Sequence, residues 1–162
     1  MDMIRGQKVK IADIIANNTP FSVLLQFNAP FALDVSCFGV DSAGKLSDER
    51  YMTFFNQPQT PCGGVKLASN QNNQTSFQIN LSHIPQSIEK LVFTAAIDGV
   101  ATMAQLGASS LGIRDGNGCQ FAFTGADFAA ERALMVAEIY RKDGVWRIAA
   151  VGQGFNGGLD AL

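Results

Sequence analysis

The class of the fold is decided by the sequence from Ala133 to Phe155, ALMVAEIYRKDGVWRIAAVGQGF. Two apolar segments, Ala133–Arg141 and Val145–Phe155, are separated only by Lys142-Asp143-Gly144. An Asp-Gly pair between two such segments is the strongest short-range signal for a β-hairpin, because a type I′ turn needs a positive φ at both central residues. The sequence therefore predicts an antiparallel hairpin in this part of the chain.

Short apolar segments also occupy most of the remaining sequence. Turn signals recur about every 8–12 residues, a spacing typical of an all-β sandwich or barrel. Leu91–Ile97 is almost wholly apolar, which indicates a central strand covered on both faces. Helix is predicted only as single turns, at Thr102–Leu106 and Ala126–Glu131. Further strands are predicted at Gln7–Ile11, Phe21–Phe27, Phe31–Val40, Tyr51–Asn56, Gly64–Leu67, Ser76–Leu81, Ser109–Asp115 and Cys119–Phe123.

The composition excludes several classes of protein. The chain has 162 residues, which corresponds to one domain, and it is 47% hydrophobic and 16% charged, which excludes general disorder. Twelve Lys and Arg against 14 Asp and Glu give a net charge of −2, whereas a nucleic-acid-binding protein normally carries a basic excess. No apolar run approaches the roughly 18 residues of a transmembrane helix. We therefore expect neither nucleic-acid binding nor a transmembrane segment.

The cysteines indicate the compartment. Cys37, Cys62 and Cys119 are odd in number and widely spaced, without a CxxC motif that would suggest zinc. Three reduced, mostly buried thiols are typical of a cytoplasmic protein. We expect a cytoplasmic location.

Two sequence features that occur in enzymes are not accompanied by the further residues that an active site would need. The string Gly152-Gln153-Gly154-Phe155-Asn156-Gly157 fits G-x-G-x-x-G, but too few residues follow for the helix and acidic residue of a dinucleotide site. His83 is the only histidine, and its setting before Ile84-Pro85 is that of an ordinary loop residue without a nucleophile motif. We therefore expect no catalytic residues and no enzymatic activity.

Two aspartates remain as candidate ligands. Asp34 lies in the apolar segment Phe31–Val40, and Asp98 ends the apolar run Leu91–Ile97. A carboxylate buried in such a strand needs a partner, because burying it alone is costly. Metal ligation and structural hydrogen bonding both remain open for these residues. The uncharged segment Ala68–Thr75 is predicted to be a solvated loop.

Several motifs resemble those of the TerD-type tellurium-resistance and stress-response family, over nearly the whole chain. The family reads F-D-L-D-x-S, then G-K, then S-D-x-D-F-x-F-Y-N, and ends in V-G-Q-G-F-x-G-G-L. The matching residues are Phe31–Ser36, Gly44-Lys45, Asp48, Phe54–Gln57 and Val151–Leu159, with further similarity at Ile4–Val9, Cys62–Val65, Ile84–Asp98, Glu138–Arg141 and Trp146.

The resemblance implies a two-sheet antiparallel β-sandwich over residues 1–162, a cytoplasmic location, no known catalytic activity and calcium bound by acidic residues. The sequence departs from the family at the site. Ala32 replaces the first Asp of F-D-L-D, and Ser69–Thr75 replaces the acidic loop. The resemblance implies Asp34 and Asp98 as the retained metal ligands, with Asn70, Asn72 and Asn73 as weak oxygen donors. Since calcium prefers six to eight oxygen ligands, including carboxylates, we expect a weak site or none, and no other cofactor.

Two functions remain open. The first is a non-enzymatic stress-response module that acts through protein contacts, with partners among other proteins of a stress or tellurite-resistance system or in a second copy of the chain. The second is a calcium-binding stress-response protein. We also expect a sheet core that contains Leu91, Phe93, Ile97, Phe54 and Trp146.

Overall fold

The computed structural model describes residues 1–15, 20–113 and 118–156, and these residues form two six-stranded sheets. The first sheet has the strand order β1-β10-β9-β3-β7-β6, and the second has the order β2-β12-β11-β8-β4-β5. All pairs of neighbouring strands are antiparallel except β1 and β10. The strands are β1 Asp2–Met3, β2 Lys8–Lys10, β3 Phe21–Gln26, β4 Leu33–Val40, β5 Met52–Thr53, β6 Val65–Gln71, β7 Gln74–Ile79, β8 Lys90–Ile97, β9 Ser109–Ile113, β10 Cys119–Phe123, β11 Ala133–Lys142 and β12 Val145–Phe155.

The sandwich core lies between the two sheets. Phe77 of β7 and Phe93 of β8 are fully buried, and their rings meet edge to face with centroids 5.6 Å apart. Because β7 belongs to the first sheet and β8 to the second, this ring pair joins the two layers. The structure confirms the predicted all-β sandwich, and its helical content in the described residues consists of short 3-10 turns.

The predicted hairpin of Ala133–Arg141 and Val145–Phe155 is confirmed. Strands β11 and β12 pair in antiparallel register from Ala133–Phe155 to Lys142–Val145, with a register shift between Met135 and Ala137. Asp143 and Gly144 have φ values of 54° and 75°, as a type I′ turn requires. The predicted central strand is also confirmed, because seven of the eight β8 residues are buried and β8 lies between β11 and β4.

The uncharged segment from Ala68 to Thr75 is a hairpin, so the prediction of a solvated loop is wrong. Strand β6 continues through Gln71, and β7 begins at Gln74. Asn72 and Asn73 form the turn with φ values of 55° and 60°. Asparagine tolerates this left-handed conformation, because its short amide hydrogen-bonds locally. The residues of β6 beyond Leu67 are exposed, which explains why they carry no apolar pattern.

Other differences are local. The predicted strand Tyr51–Asn56 is reduced to Met52–Thr53, after a 3-10 turn at Glu49–Tyr51. Phe54 is therefore half-buried in a turn and is not part of the core. Trp146 is partly buried and packs against the core. Leu91, Phe93 and Ile97 are buried as expected.

The predicted helical turns are 3-10 turns at Met103–Gln105 and Gly125–Asp127, each with a capping box. No described helix is long and apolar enough to cross a membrane. The predicted turn after Ser109–Asp115 and the end of the glycine-rich run at Gly157 lie outside the described residues.

Candidate functional site

The candidate ligands converge at one end of the second sheet. Asp34 of β4 pairs directly with Ala96 of β8, and the next pair along the strands is Leu33 with Ile97. Ala32 and Asp98 are the residues that adjoin this last pair. The topology therefore brings both predicted aspartates to one sheet end, together with the alanine that replaces a family aspartate.

Both aspartates are exposed, although the sequence analysis treated them as buried groups in need of a partner. Strand β4 turns Leu33, Val35 and Cys37 inward and Asp34 outward, because side chains alternate between the faces of a sheet. Water solvates both carboxylates, so neither requires a cation or an internal hydrogen-bond partner. Their chemistry alone does not demand a metal.

The turn between β6 and β7 reaches the same sheet end through Asn73. The Asn73 Nδ2 donates a hydrogen bond to the Phe31 carbonyl at 2.8 Å, and the Asn73 Oδ1 accepts one from the Leu33 amide at 3.3 Å. The Asn73 carbonyl also accepts a hydrogen bond from the Phe27 amide at 2.9 Å. This single residue therefore links the turn to both the end of β3 and the start of β4.

The other predicted oxygen donors do not complete a ligand set. The Asn70 Oδ1 accepts a hydrogen bond from the Thr75 hydroxyl at 3.0 Å, within the hairpin itself. Asn72 and Asn73 line a cleft of about 390 Å³ with Ala29, Pro30, Phe31 and Ala32, so no carboxylate is among its lining residues. In the part of the chain that the structure describes, no group of three or more His, Cys, Asp or Glu side chains could hold a metal ion.

This donor set does not fit calcium well. Calcium takes six to eight oxygen ligands, and affinity rises with the number of carboxylates. Asp34 and Asp98 are the two predicted carboxylate ligands at this end, and the Asn73 amide already uses both of its polar atoms in hydrogen bonds. The Phe31 carbonyl, a further oxygen at this end, already accepts a hydrogen bond from the Asn73 Nδ2.

The thiols and the histidine lie elsewhere. Burial raises the pKa of the Cys37 thiol far above its usual value, and burial is also the main cause of the raised pKa of Cys119. Cys62 is partly exposed and shares a cleft of about 380 Å³ with His83 and Lys66.

The Cys62 sulfur contacts its neighbours instead of the histidine. Its Sγ accepts a hydrogen bond from the Gly64 amide and lies 3.3 Å from the Thr60 hydroxyl. Among the described residues no hydrogen bond joins Cys62 to His83. The arrangement lacks the nucleophile–base contact that a catalytic cysteine requires.

Comparisons with known proteins agree with the fold and the motifs. The TerD domain family matches residues 1–162. The chain is similar to the tellurium resistance protein TerA of Alcaligenes sp., with 33% identity over 115 residues, which are 68% of this chain and 33% of that protein. The chain therefore spans about a third of the length of that relative.

Two further proteins show the same relationship. General stress protein 16U of Bacillus subtilis is 31% identical over 142 residues, which cover 80% of this chain and 74% of that protein. A crystal structure of a homologue of the telluride resistance protein TerD, from Streptomyces coelicolor A3(2), superposes with a TM-score of 0.70 over 89% of this chain and 94% of that chain. At 17% identity, that structure supports the fold.

Proposed function

This chain belongs to the TerD domain family, and from that membership we propose that it is a non-enzymatic stress-response module that acts through protein contacts, with the calcium site of the family weakened or lost. Relatives named as tellurium resistance and general stress proteins support the stress-response role. The observation that carries the proposal is the position of Asn73, whose amide connects the turn to Phe31 and Leu33.

The Asn73 amide does locally what a cation would otherwise do. A cation at this end would draw the Phe31 carbonyl and neighbouring oxygens together. Here the Asn73 N–H group binds that carbonyl, and the Asn73 Oδ1 holds the Leu33 amide. A neutral side chain therefore links the tip of the β6–β7 hairpin in the first sheet to the start of β4 in the second, which supports a turn that is held without a metal ion.

An exposed edge strand supports a role in protein contacts. The first half of β6 is covered, because the Leu67 amide donates to the Pro58 carbonyl and the Thr60 amide donates to the Val65 carbonyl. The second half, Ala68–Gln71, is exposed and carries neither charge nor proline. Natural edge strands are usually protected by such residues, because an unprotected edge pairs readily with another strand. We propose this half-strand as the contact, with a second copy or another protein of the resistance system as its partner.

Calorimetric titration with calcium tests whether the calcium site of the family is weakened or lost in this chain. We expect no binding at micromolar calcium and no rise in melting temperature when calcium replaces a chelator. A bound ligand at 100 times its Kd would stabilise the fold by about 2.7 kcal/mol, which thermal melting detects. A clear calcium-dependent rise in the melting temperature of the natural sequence would contradict the proposed loss of the site.

A matched variant makes a negative result informative. Ala32→Asp combined with Asn72→Asp adds two carboxylates at the positions where the family carries acidic residues, and it leaves Asn73 in place. Aspartate also tolerates the positive φ of residue 72. We expect this variant to gain calcium-dependent stability that the natural sequence lacks.

The calcium-binding function is the alternative, and a specific observation favours it. Asp34 and Asp98 are both exposed at the sheet end beside Ala32, where solvent ions reach them. Under this alternative Asp34→Asn would abolish a calcium response of the natural sequence. Under our proposal the same variant changes nothing in the titration.

Light scattering across a dilution series tests the contact through β6. We expect a mass above that of the monomer at high concentration, and a smaller mass for Ser69→Lys, which places a charge on the exposed edge. A monomeric mass at every concentration would contradict self-association. In that case Ser69→Lys should instead weaken a complex with purified proteins of the same resistance system.

A further inference from the structure

Basic side chains collect on one rung of the second sheet, at the end of β8 opposite Asp98. Lys90 of β8 pairs with Tyr140 of β11, Tyr140 pairs with Arg147 of β12, and Arg147 pairs with Lys10 of β2. Directly opposite residues on neighbouring strands project from the same face. Three cations therefore surround one tyrosine along a single rung about 14 Å long, given strand spacings of about 4.8 Å.

Two more lysines extend this basic rung into a cleft. Lys8 and Lys142 each lie two residues from a rung position along their strands, so they share its face. The cleft has a volume of about 570 Å³ and is lined by Lys8, Val9, Lys10, Asp13, Tyr140, Lys142, Asp143 and Arg147. This volume falls within the range of small-ligand sites, about 300–1,000 Å³.

The positive charge in the cleft is poorly neutralised. Its lining has four cations and two carboxylates, a local net charge of +2 in a chain whose net charge is −2. Among the described residues the Lys90–Glu138 pair, at 3.9 Å, is the ion pair that involves this rung. Arg147 donates instead to the Lys142 carbonyl at 3.1 Å, and the Lys8 Nζ lies 6.0 Å from the centre of the Tyr140 ring.

This arrangement is unfavourable for the protein alone. Arg147 and Lys10 lie directly opposite each other, and like charges in that position destabilise a sheet. Arg141, by contrast, makes contacts within the protein: its guanidinium stacks 4.5 Å from the centre of the Trp146 ring and donates to the Pro85 carbonyl at 2.8 Å. One arginine of this hairpin therefore contacts other parts of the protein, whereas the neighbouring cations line the cleft.

We propose that this cleft binds a polyphosphate anion, either an inorganic polyphosphate or the phosphate chain of a nucleotide. Arginine and lysine are the residues that bind phosphate oxygens, arginine through two parallel hydrogen bonds and lysine as a point charge. A single phosphate group spans one strand spacing and neutralises Arg147 and Lys10 only. Lys8 and Lys142 lie on opposite sides of the rung along the strands, so the four lining cations are spread more widely than one phosphate group and a chain of phosphates contacts more of them.

Titration with inorganic tripolyphosphate and with ATP, each without metal ions, tests the site. We expect both to bind and to raise the melting temperature, and we expect binding to weaken as sodium chloride is raised, because these charges are exposed to salt. Equal affinities identify the phosphates as the recognised group, whereas tighter binding of ATP identifies a nucleotide as the source. Absence of binding by both ligands at low salt would overturn the proposal.

Matched charge variants separate this cleft from a general charge effect. Lys10→Gln combined with Arg147→Gln removes two cations from the rung and should weaken tripolyphosphate binding about tenfold or more, because charge-assisted hydrogen bonds are lost. Lys45→Gln combined with Lys66→Gln changes the net charge equally, but both residues lie away from the cleft. Equal weakening in the two double variants would contradict a site on the rung.

The conservative variant Arg147→Lys keeps the charge and should retain most of the binding. Melting temperatures without ligand verify that each variant is folded. Relief of the Arg147–Lys10 repulsion predicts that the cleft double variant is at least as stable as the natural sequence when no anion is present. Tripolyphosphate binding by the Lys10→Gln, Arg147→Gln double variant as tight as that of the natural sequence would also overturn the proposal.

Discussion

The two hairpins β6–β7 and β11–β12 have the same turn conformation and are held in place by different means. Their central residues have φ values of 55° and 60° in the first, and of 54° and 75° in the second. Five of the ten β11 residues and the β12 segment Ile148–Ala150 are buried, and the two strands pair with β8 and β2 on their outer sides. Strand β6 is an edge strand, and its last four residues are exposed.

The difference shows how a polar hairpin is stabilised without a core of its own. In β11–β12, burial of apolar residues fixes the register, and the turn follows from it. In β6–β7, buried residues anchor β7 and the start of β6 at Val65, and the tip is fixed by the hydrogen bonds of Asn73 to Phe31 and Leu33. The tip of one hairpin therefore depends on a single side chain, and the other does not.

Removing the contact between Phe77 and Phe93 tests the contribution of the buried core, and it is the substitution with the largest expected effect on stability. Phe77 belongs to the β6–β7 hairpin, and Phe93 lies in β8 beside β11. Phe93→Ala should lower the free energy of unfolding by about 3–5 kcal/mol, because both rings are fully buried and the cavity cannot close. Denaturant melts measure the loss.

Phe55→Ala is the matched control for this substitution. The Phe55 side chain is 59% exposed and contacts the Phe54 ring edge to face. We expect a change within about 0.5 kcal/mol, as for most surface positions. A loss below about 1 kcal/mol for Phe93→Ala would contradict the position of that ring between the sheets.

The sequence predicted one hairpin and missed the other for a physical reason. At Asp143-Gly144 the apolar pattern of the flanking strands and the turn residues pointed to the same structure. At Asn72-Asn73 the turn residues were present, but β6 has no buried face beyond Leu67, so the alternation that marks a strand was missing. An edge strand of this kind takes its register from its neighbour, which the local sequence does not encode.

The candidate sites also depend on strand pairing that the local sequence does not encode. Asp34 and Asp98 could be chosen from the sequence by residue type, and the register indeed brings them to one sheet end. The exposure of their side chains could not be predicted from the sequence, because the direction of the Asp34 side chain depends on which face of β4 meets the core. The basic cleft could not be predicted from the sequence, because Lys10 lies opposite Arg147 only through the pairing of β2 with β12, which are far apart in the chain.

Asn73→Ala tests the tip of the polar hairpin and should have the second-largest effect. The substitution removes two hydrogen bonds of the side chain and places alanine at a φ of 60°. We expect a loss of about 2–3 kcal/mol in the free energy of unfolding. Asn72→Ala is the control, since residue 72 has nearly the same φ and reports mainly the backbone cost of about 1–2 kcal/mol. Equal losses in the two variants would show that the links to Phe31 and Leu33 contribute nothing.

Gly144→Ala tests the tip of the apolar hairpin, and it has the smallest expected effect. Glycine is needed here only because φ is 75°, since an added Cβ would meet no atom within 4 Å. The whole cost is therefore that of a left-handed backbone, about 1–2 kcal/mol, and the register of β11 and β12 should persist because burial maintains it. Thermal melts measure the loss, and amide hydrogen exchange along the two strands measures the register. Gly144→Asn should cost less, because asparagine tolerates this conformation. A collapse of protection along β11 and β12 in the alanine variant would mean that the turn, and not the buried strands, holds this hairpin together, and the contrast with β6–β7 would then disappear.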